Sequence, residues 1–105
     1  MKINNAIKDL CRQIVVDFKP QKIILFGSYA RGTPTVDSDL DFLVVMPFKG
    51  RSVDQAIKIR RRISTDMPLD LMVRTPRQIE KRLRVNDFFI KEVINQGQVL
   101  YESEN

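Results

Sequence analysis

Residues 27–45 read GSYARGTPTVDSDLDFLVV, and Lys22 to Phe26 just before them read KIILF. The KIILF run is apolar and rich in β-branched residues, which predicts a buried strand. It stops at Gly27-Ser28. A glycine at the end of a strand lets backbone come close to a ligand. The serine opening the next turn offers a hydroxyl and N–H groups at a helix N-terminus, an arrangement suited to phosphate. Tyr29 to Ser38 mixes Gly, Pro, Thr and Ser and predicts a short helix or loop. Asp39 to Met46 then predicts a second strand, ended by Pro47. Its period of two puts Asp39, Asp41, Leu43 and Val45 on one face and Leu40, Phe42 and Val44 on the other. Ten residues separate Ser28 from Asp39.

Two carboxylates leaving one face of a strand repel each other, and one takes up a proton unless a cation sits between them. A third carboxylate, Asp70, lies in Leu69 to Val73, which predicts a third strand with Leu69 and Leu71 turned into the core. Asp70 can join Asp39 and Asp41 if the two strands pair. Three carboxylates without a soft ligand describe a hard-metal site of the two-metal phosphoryl-transfer kind. Such a site aligns and activates an attacking oxygen and neutralises charge on departing pyrophosphate. The chain has no histidine and one cysteine, Cys11. That excludes Ser–His–Asp triads, Cys–His dyads, His-ligated metals, an internal disulfide and a multi-cysteine zinc site. Any metal must be held by oxygen, which means Mg²⁺, Mn²⁺ or Ca²⁺.

Outward from this centre, residues 3–18 carry Ile3, Ile7, Leu10, Ile14, Val15 and Phe18 at helical spacing, and Pro20 closes that helix. Ser52 to about Thr65 predicts a second helix with Ser52 as N-cap and Val53, Ala56, Ile57, Ile59 and Ile63 turned inward. Thr75-Pro76 starts a basic helix, RQIEKRLR. A further helix runs from about Asn86 to Asn95, Gly97 stops it, and Val99-Leu100-Tyr101 forms a short last strand. The class is α/β or α+β, a small mixed sheet flanked by helices. With 105 residues and 12.2 kDa the chain is read as one domain, residues 1–105. Eighteen Lys+Arg against 13 Asp+Glu give a net charge of +5, compatible with a nucleotide or another phosphate-rich or acidic partner, and equally with solubility. No apolar run is long enough to cross a membrane, and MKINNAIKDLCRQ is too polar for a signal peptide, so the expected setting is cytoplasmic.

The stretch GSYARGTPTVDSDLDFLVV resembles the signature of the DNA polymerase β nucleotidyltransferase superfamily, G-S-x10-D-x-D. PLDLMV with its third carboxylate, followed by TP and a basic helix, extends the likeness. The whole chain is similar to the minimal nucleotidyltransferase (MNT) domain. The resemblance implies nucleotidyl transfer: a nucleoside triphosphate, ATP by family default, binds with two Mg²⁺ (Mn²⁺ as substitute) and a hydroxyl attacks the α-phosphorus. It assigns Gly27 and Ser28 to the triphosphate, with Arg31 and Ser38 as supports. Asp39 and Asp41 would hold both metals. Asp70 would hold the catalytic metal and help deprotonate the hydroxyl. The family usually adds a helical segment for the base or the acceptor, and none is expected within these 105 residues. Proteins this small resemble the MNT half of paired systems with a helical HEPN protein (higher eukaryotes and prokaryotes nucleotide-binding). There the MNT protein is the antitoxin, and some transfer AMP to a tyrosine of the toxin.

Other residues have blander readings. Asp66 is a rival third carboxylate in turn context, and Asp37 a loop cap. Arg60-Arg61-Arg62 point in different directions along a helix and read as a solvated face. Arg74, Arg77, Lys81, Arg82 and Arg84 include candidates for a substrate groove. They have no interleaved aromatics, so sequence-specific nucleic-acid stacking is not indicated. Phe88, Phe89, Val93 and Ile94 read as core before partner surface. Cys11 reads as a small buried or half-buried residue with no catalytic role. A homo-oligomer or, by preference, a helical partner would complete the groove. Two further functions stand beside transfer to a protein: an antitoxin that binds nucleotide and neutralises its partner by occlusion alone, and an enzyme acting on a small molecule, as antibiotic nucleotidyltransferases do.

Overall fold

Four strands hydrogen-bond into one sheet in the order β3-β2-β1-β4. The structure is a computed structural model that describes residues 4–104. In chain order the elements are α1 (Asn5–Phe18), β1 (Lys22–Phe26), α2 (Gly27–Arg31), β2 (Leu40–Val45), α3 (Ser52–Arg62), β3 (Leu69–Arg74), α4 (Pro76–Arg84), α5 (Phe88–Gln96) and β4 (Gln98–Glu102). β1 runs antiparallel to both β2 and β4. β2 and β3 are parallel, so a crossover is needed between them, and α3 supplies it.

The alternation within β2 is used on both sides. Leu40, Phe42 and Val44 pack with Ile7, Leu10 and Ile14 of α1 and Ile59 of α3. Leu43 and Val45 pack with Ile79 of α4 and Ile90 and Val93 of α5. Helices therefore cover both faces, and Asp41 shares its face with the α4/α5 layer. Cys11 is buried on α1, as its sequence context suggests.

Helix ends follow local chemistry. The Asn4 side chain accepts from the Ile7 N–H at 2.9 Å, and α1 stops at Lys19, in the left-handed region at φ 48°, just before Pro20. Ile3, expected in this helix, lies outside the described residues. Thr75 and Gln78 form a reciprocal capping box with Pro76 at the first helical position. Asp87 caps α5, which therefore begins two residues later than Asn86.

Three expectations need correcting. Ser52 is the first residue of α3 rather than its cap; Arg51 occupies the cap position without a side-chain hydrogen bond. Val53 and Ile57 are exposed, because α3 buries Gln55 and Ile59 instead. Phe88 and Phe89 remain exposed, while Val93 is buried and Ile94 partly so. In the latter two cases the apolar residues could be seen in sequence, but helical phase against the sheet decided which went inside.

Phe42 is fully buried at the centre of the larger cluster. Phe42→Ala should lower the unfolding free energy by about 3–5 kcal/mol, measured by urea titration.

Candidate active site

The site assembles at one end of the sheet because of register. Phe26, the last residue of β1, sits opposite Asp41. On its other side Asp41 is in register with Asp70 of β3. Phe26, Asp41 and Asp70 thus form a row across three neighbouring strands. Asp39 lies one residue before β2, and the adjacent Leu40 N–H is tied to the Pro68 carbonyl at 2.8 Å.

The chain leaves β1 through a tight turn into α2, a single helical turn that begins at Gly27 with φ +75°. A Cβ on Gly27 would fall on Oδ2 of Asp41. Glycine is required here twice, by its backbone angle and by the lack of space. Gly32 caps the other end of α2 at φ 75° with its N–H directed at the Ser28 and Tyr29 carbonyls. The Thr33 N–H also bonds to the Ser28 carbonyl at 3.0 Å. The returning loop is braced by Ser38, whose Oγ accepts from the Thr35 N–H at 2.9 Å.

Burial pushes the Asp41 carboxyl above its ordinary value; the charges of Asp70 and Asp39 and a hydrogen bond with Asp70 push it further, and only Arg31 acts against them. Negative charge is therefore undercompensated at this end of the sheet. Among the described residues no three Asp, Glu or Cys side chains come together as a group that could hold a metal ion. The donor chemistry nonetheless fits a hard cation: the acidic groups coupled to Asp41 are all carboxylates, and their mutual repulsion is what a divalent ion would relieve.

The structure brings Gly27, Asp41, Asp70, Asp39 and Arg31 into one neighbourhood. Ser28 is on the same short helix as Gly27 and Arg31. Ser38 braces the loop instead of standing free. The apolar neighbours Leu69 and Leu71 do not enclose Asp70. It is exposed because β3 is an edge strand, so proximity to Asp41 and not its own burial marks it. Asp66 and Asp37 are exposed outside the strands. Phe26 was not singled out in the sequence. Its ring meets that of Phe89 edge-on, centroids 5.7 Å apart, beside a cavity that Gly27 and Arg31 also line. Only strand register reveals that Phe26 adjoins Asp41.

Known proteins supply the class. Residues 3–100 match the nucleotidyltransferase domain family, and the chain belongs to it. The protein is accordingly a nucleotidyltransferase. Two Methanocaldococcus jannaschii proteins, provisionally named as protein adenylyltransferases, are similar along nearly their whole length. One is 31% identical over 96% of this chain and 100% of its own. The other is 34% identical over 92% and 97%. In fold the chain resembles a crystal structure of a provisionally named nucleotidyltransferase from Sulfolobus solfataricus (TM-score 0.63, 20% identity, covering 93% of this chain and 78% of that one). It also resembles a chain in a toxin–antitoxin crystal structure with AMP-PNP (TM-score 0.57, 24% identity, covering 92% and 74%). These bear out the nucleotidyltransferase reading and the mixed, helix-flanked sheet.

Two outcomes follow from the geometry. The raised Asp41 pKa means that stability from its protonated form is present at acid pH and lost as pH rises through its folded-state titration. Asp41→Asn should therefore raise the melting temperature of metal-free protein at neutral pH and flatten its pH dependence, read by calorimetry. Gly27→Ala should destabilise by more than about 1 kcal/mol, read by urea unfolding.

Proposed function

We propose that this chain acts as one minimal nucleotidyltransferase domain, residues 1–105, that moves AMP from ATP to a hydroxyl of a protein partner. The partner we favour is a helical HEPN-type toxin, with this protein as its antitoxin in the cytoplasm. The observation that carries the transfer reading is the convergence of Asp41, Asp70 and Asp39 against the Gly27 turn. Protein as acceptor is supported by the naming of the two M. jannaschii relatives. The toxin–antitoxin setting is supported by the fold neighbour with AMP-PNP.

In this reading the Gly27 backbone and the Ser28 hydroxyl contact the triphosphate. Arg31 adds positive charge beside it, and Ser38 holds the loop that returns to Asp39. Asp39 and Asp41 would hold two Mg²⁺, or Mn²⁺, and Asp70 would share the catalytic one. When bound, these ions would supply charge neutralisation on the phosphates and lower the pKa of the attacking hydroxyl. The acceptor oxygen bonds to the α-phosphorus, the bond from that phosphorus to the bridging oxygen breaks, and pyrophosphate leaves. Asp70 takes the proton at its carboxylate, which its exposed edge position leaves accessible to an incoming hydroxyl.

Co-expression with the protein encoded beside it, followed by Mg²⁺ and ATP and intact-mass measurement of both chains, tests this. An AMP-sized gain on the neighbour is expected. It should fall by at least about 10²–10³-fold in rate in the Asp39→Ala/Asp41→Ala double variant. No gain on a partner that still co-purifies would replace transfer with neutralisation by occlusion.

A further inference from the structure

We propose that the cavity between α2 and α5 seats the nucleobase, with Phe89 as stacking surface and Glu92 and Gln96 reading a purine with an exocyclic amino group. The inference rests on the nucleotidyl-transfer reading and adds to it the base specificity that no motif residue encodes. The cavity holds about 210 Å³ and is walled by Gly27 and Arg31 on one side and Phe89, Glu92, Val93 and Gln96 on the other. Whole-ligand pockets run to roughly 300–1,000 Å³. This one suits a ring system, leaving ribose and phosphates outside.

Its position relative to the chemistry is set by pairing. Phe26 adjoins Asp41 across β1–β2, and Phe89 packs against Phe26. The cavity wall therefore begins one residue position from the carboxylates. Phe89 is 46% exposed despite that contact, so much of the ring has no protein partner. An aromatic ring left open beside a phosphate-handling turn is a surface on which a base can stack.

Charge orients the ligand. Arg31 lies on the α2 wall and acts electrostatically on Asp41. It favours the anionic end of a nucleotide. Glu92 lies on the α5 wall and repels phosphate, so that wall takes the uncharged end. Phe89, Glu92, Val93 and Gln96 are spaced i, i+3, i+4 and i+7 and present one face of α5. Among the described residues neither the Glu92 carboxylate nor the Gln96 amide is engaged by a hydrogen bond or ion pair. A carboxylate accepts from an exocyclic amino group, and a glutamine amide matches the N6/N7 edge of adenine.

Calorimetry with ATP, ITP and inorganic tripolyphosphate, each with Mg²⁺, tests the assignment. The parent should bind ATP more tightly than ITP, which lacks the amino group. Phe89→Ala should weaken ATP by at least about fivefold and leave tripolyphosphate unchanged. Glu92→Ala, at an exposed position where folding is not at stake, should reduce the preference for ATP over ITP. Unchanged ATP affinity in both variants overturns the proposal while leaving nucleotidyl transfer intact. So does an equal loss of tripolyphosphate binding in Phe89→Ala. A parent that binds neither ATP nor tripolyphosphate removes the transfer reading, and this proposal with it.

Discussion

The approach of the Gly27 backbone to the Asp41 carboxylate is the contact on which the rest of this site depends. It exists because β1 and β2 pair antiparallel with Phe26 opposite Asp41. The turn leaving β1 then has nowhere to go but over that carboxylate, with no room for a side chain at Gly27. The Gly27 turn and the Asp41 carboxylate are held together by the same backbone ladder. Neither needs a long loop or a mobile segment to reach the other.

The carboxylates work against the fold that holds them. Burial of Asp41 raises the cost of its charge, and parallel pairing of β2 with β3 adds to that cost by setting Asp70 beside it. Arg31 offsets only part of this. Such strain at a functional site is carried by packing elsewhere. Here that packing is a sheet covered on both faces, with Phe42, Leu40 and Val44 on one side and Leu43 and Val45 on the other. Helices cover both faces of the sheet, and the three carboxylates lie at one end of it.

Much of this was legible in residue order. Period-two alternation over Asp39 to Val45 puts the carboxylates on one face with Leu43 and Val45 and Leu40, Phe42 and Val44 on the other, and Asp41 and the core residues of β2 appear on the expected sides. The Gly-Ser turn and the Thr75-Pro76 helix start are local chemistry, and they form where expected. What escaped was tertiary. Val53 and Ile57 look like core residues but face outward, since the sheet selects the phase of Gln55 and Ile59. Phe89 looks like core, and only the register that puts Phe26 beside Asp41 turns it into a wall near the site. Asp70 stands in register with Asp41, the strand pairing that the sequence could state only as a condition.

In the proposed function the carboxylates at the end of the sheet are neutralised by divalent ions together with a triphosphate. Calorimetric melting of the protein with MgCl₂ alone, a non-hydrolysable ATP analogue alone, and both together tests it most directly. A large upward shift is expected only with both ligands, and its loss in Asp39→Ala/Asp41→Ala. An equal shift with the nucleotide analogue in the absence of Mg²⁺, or an undiminished shift in the double variant, would contradict it.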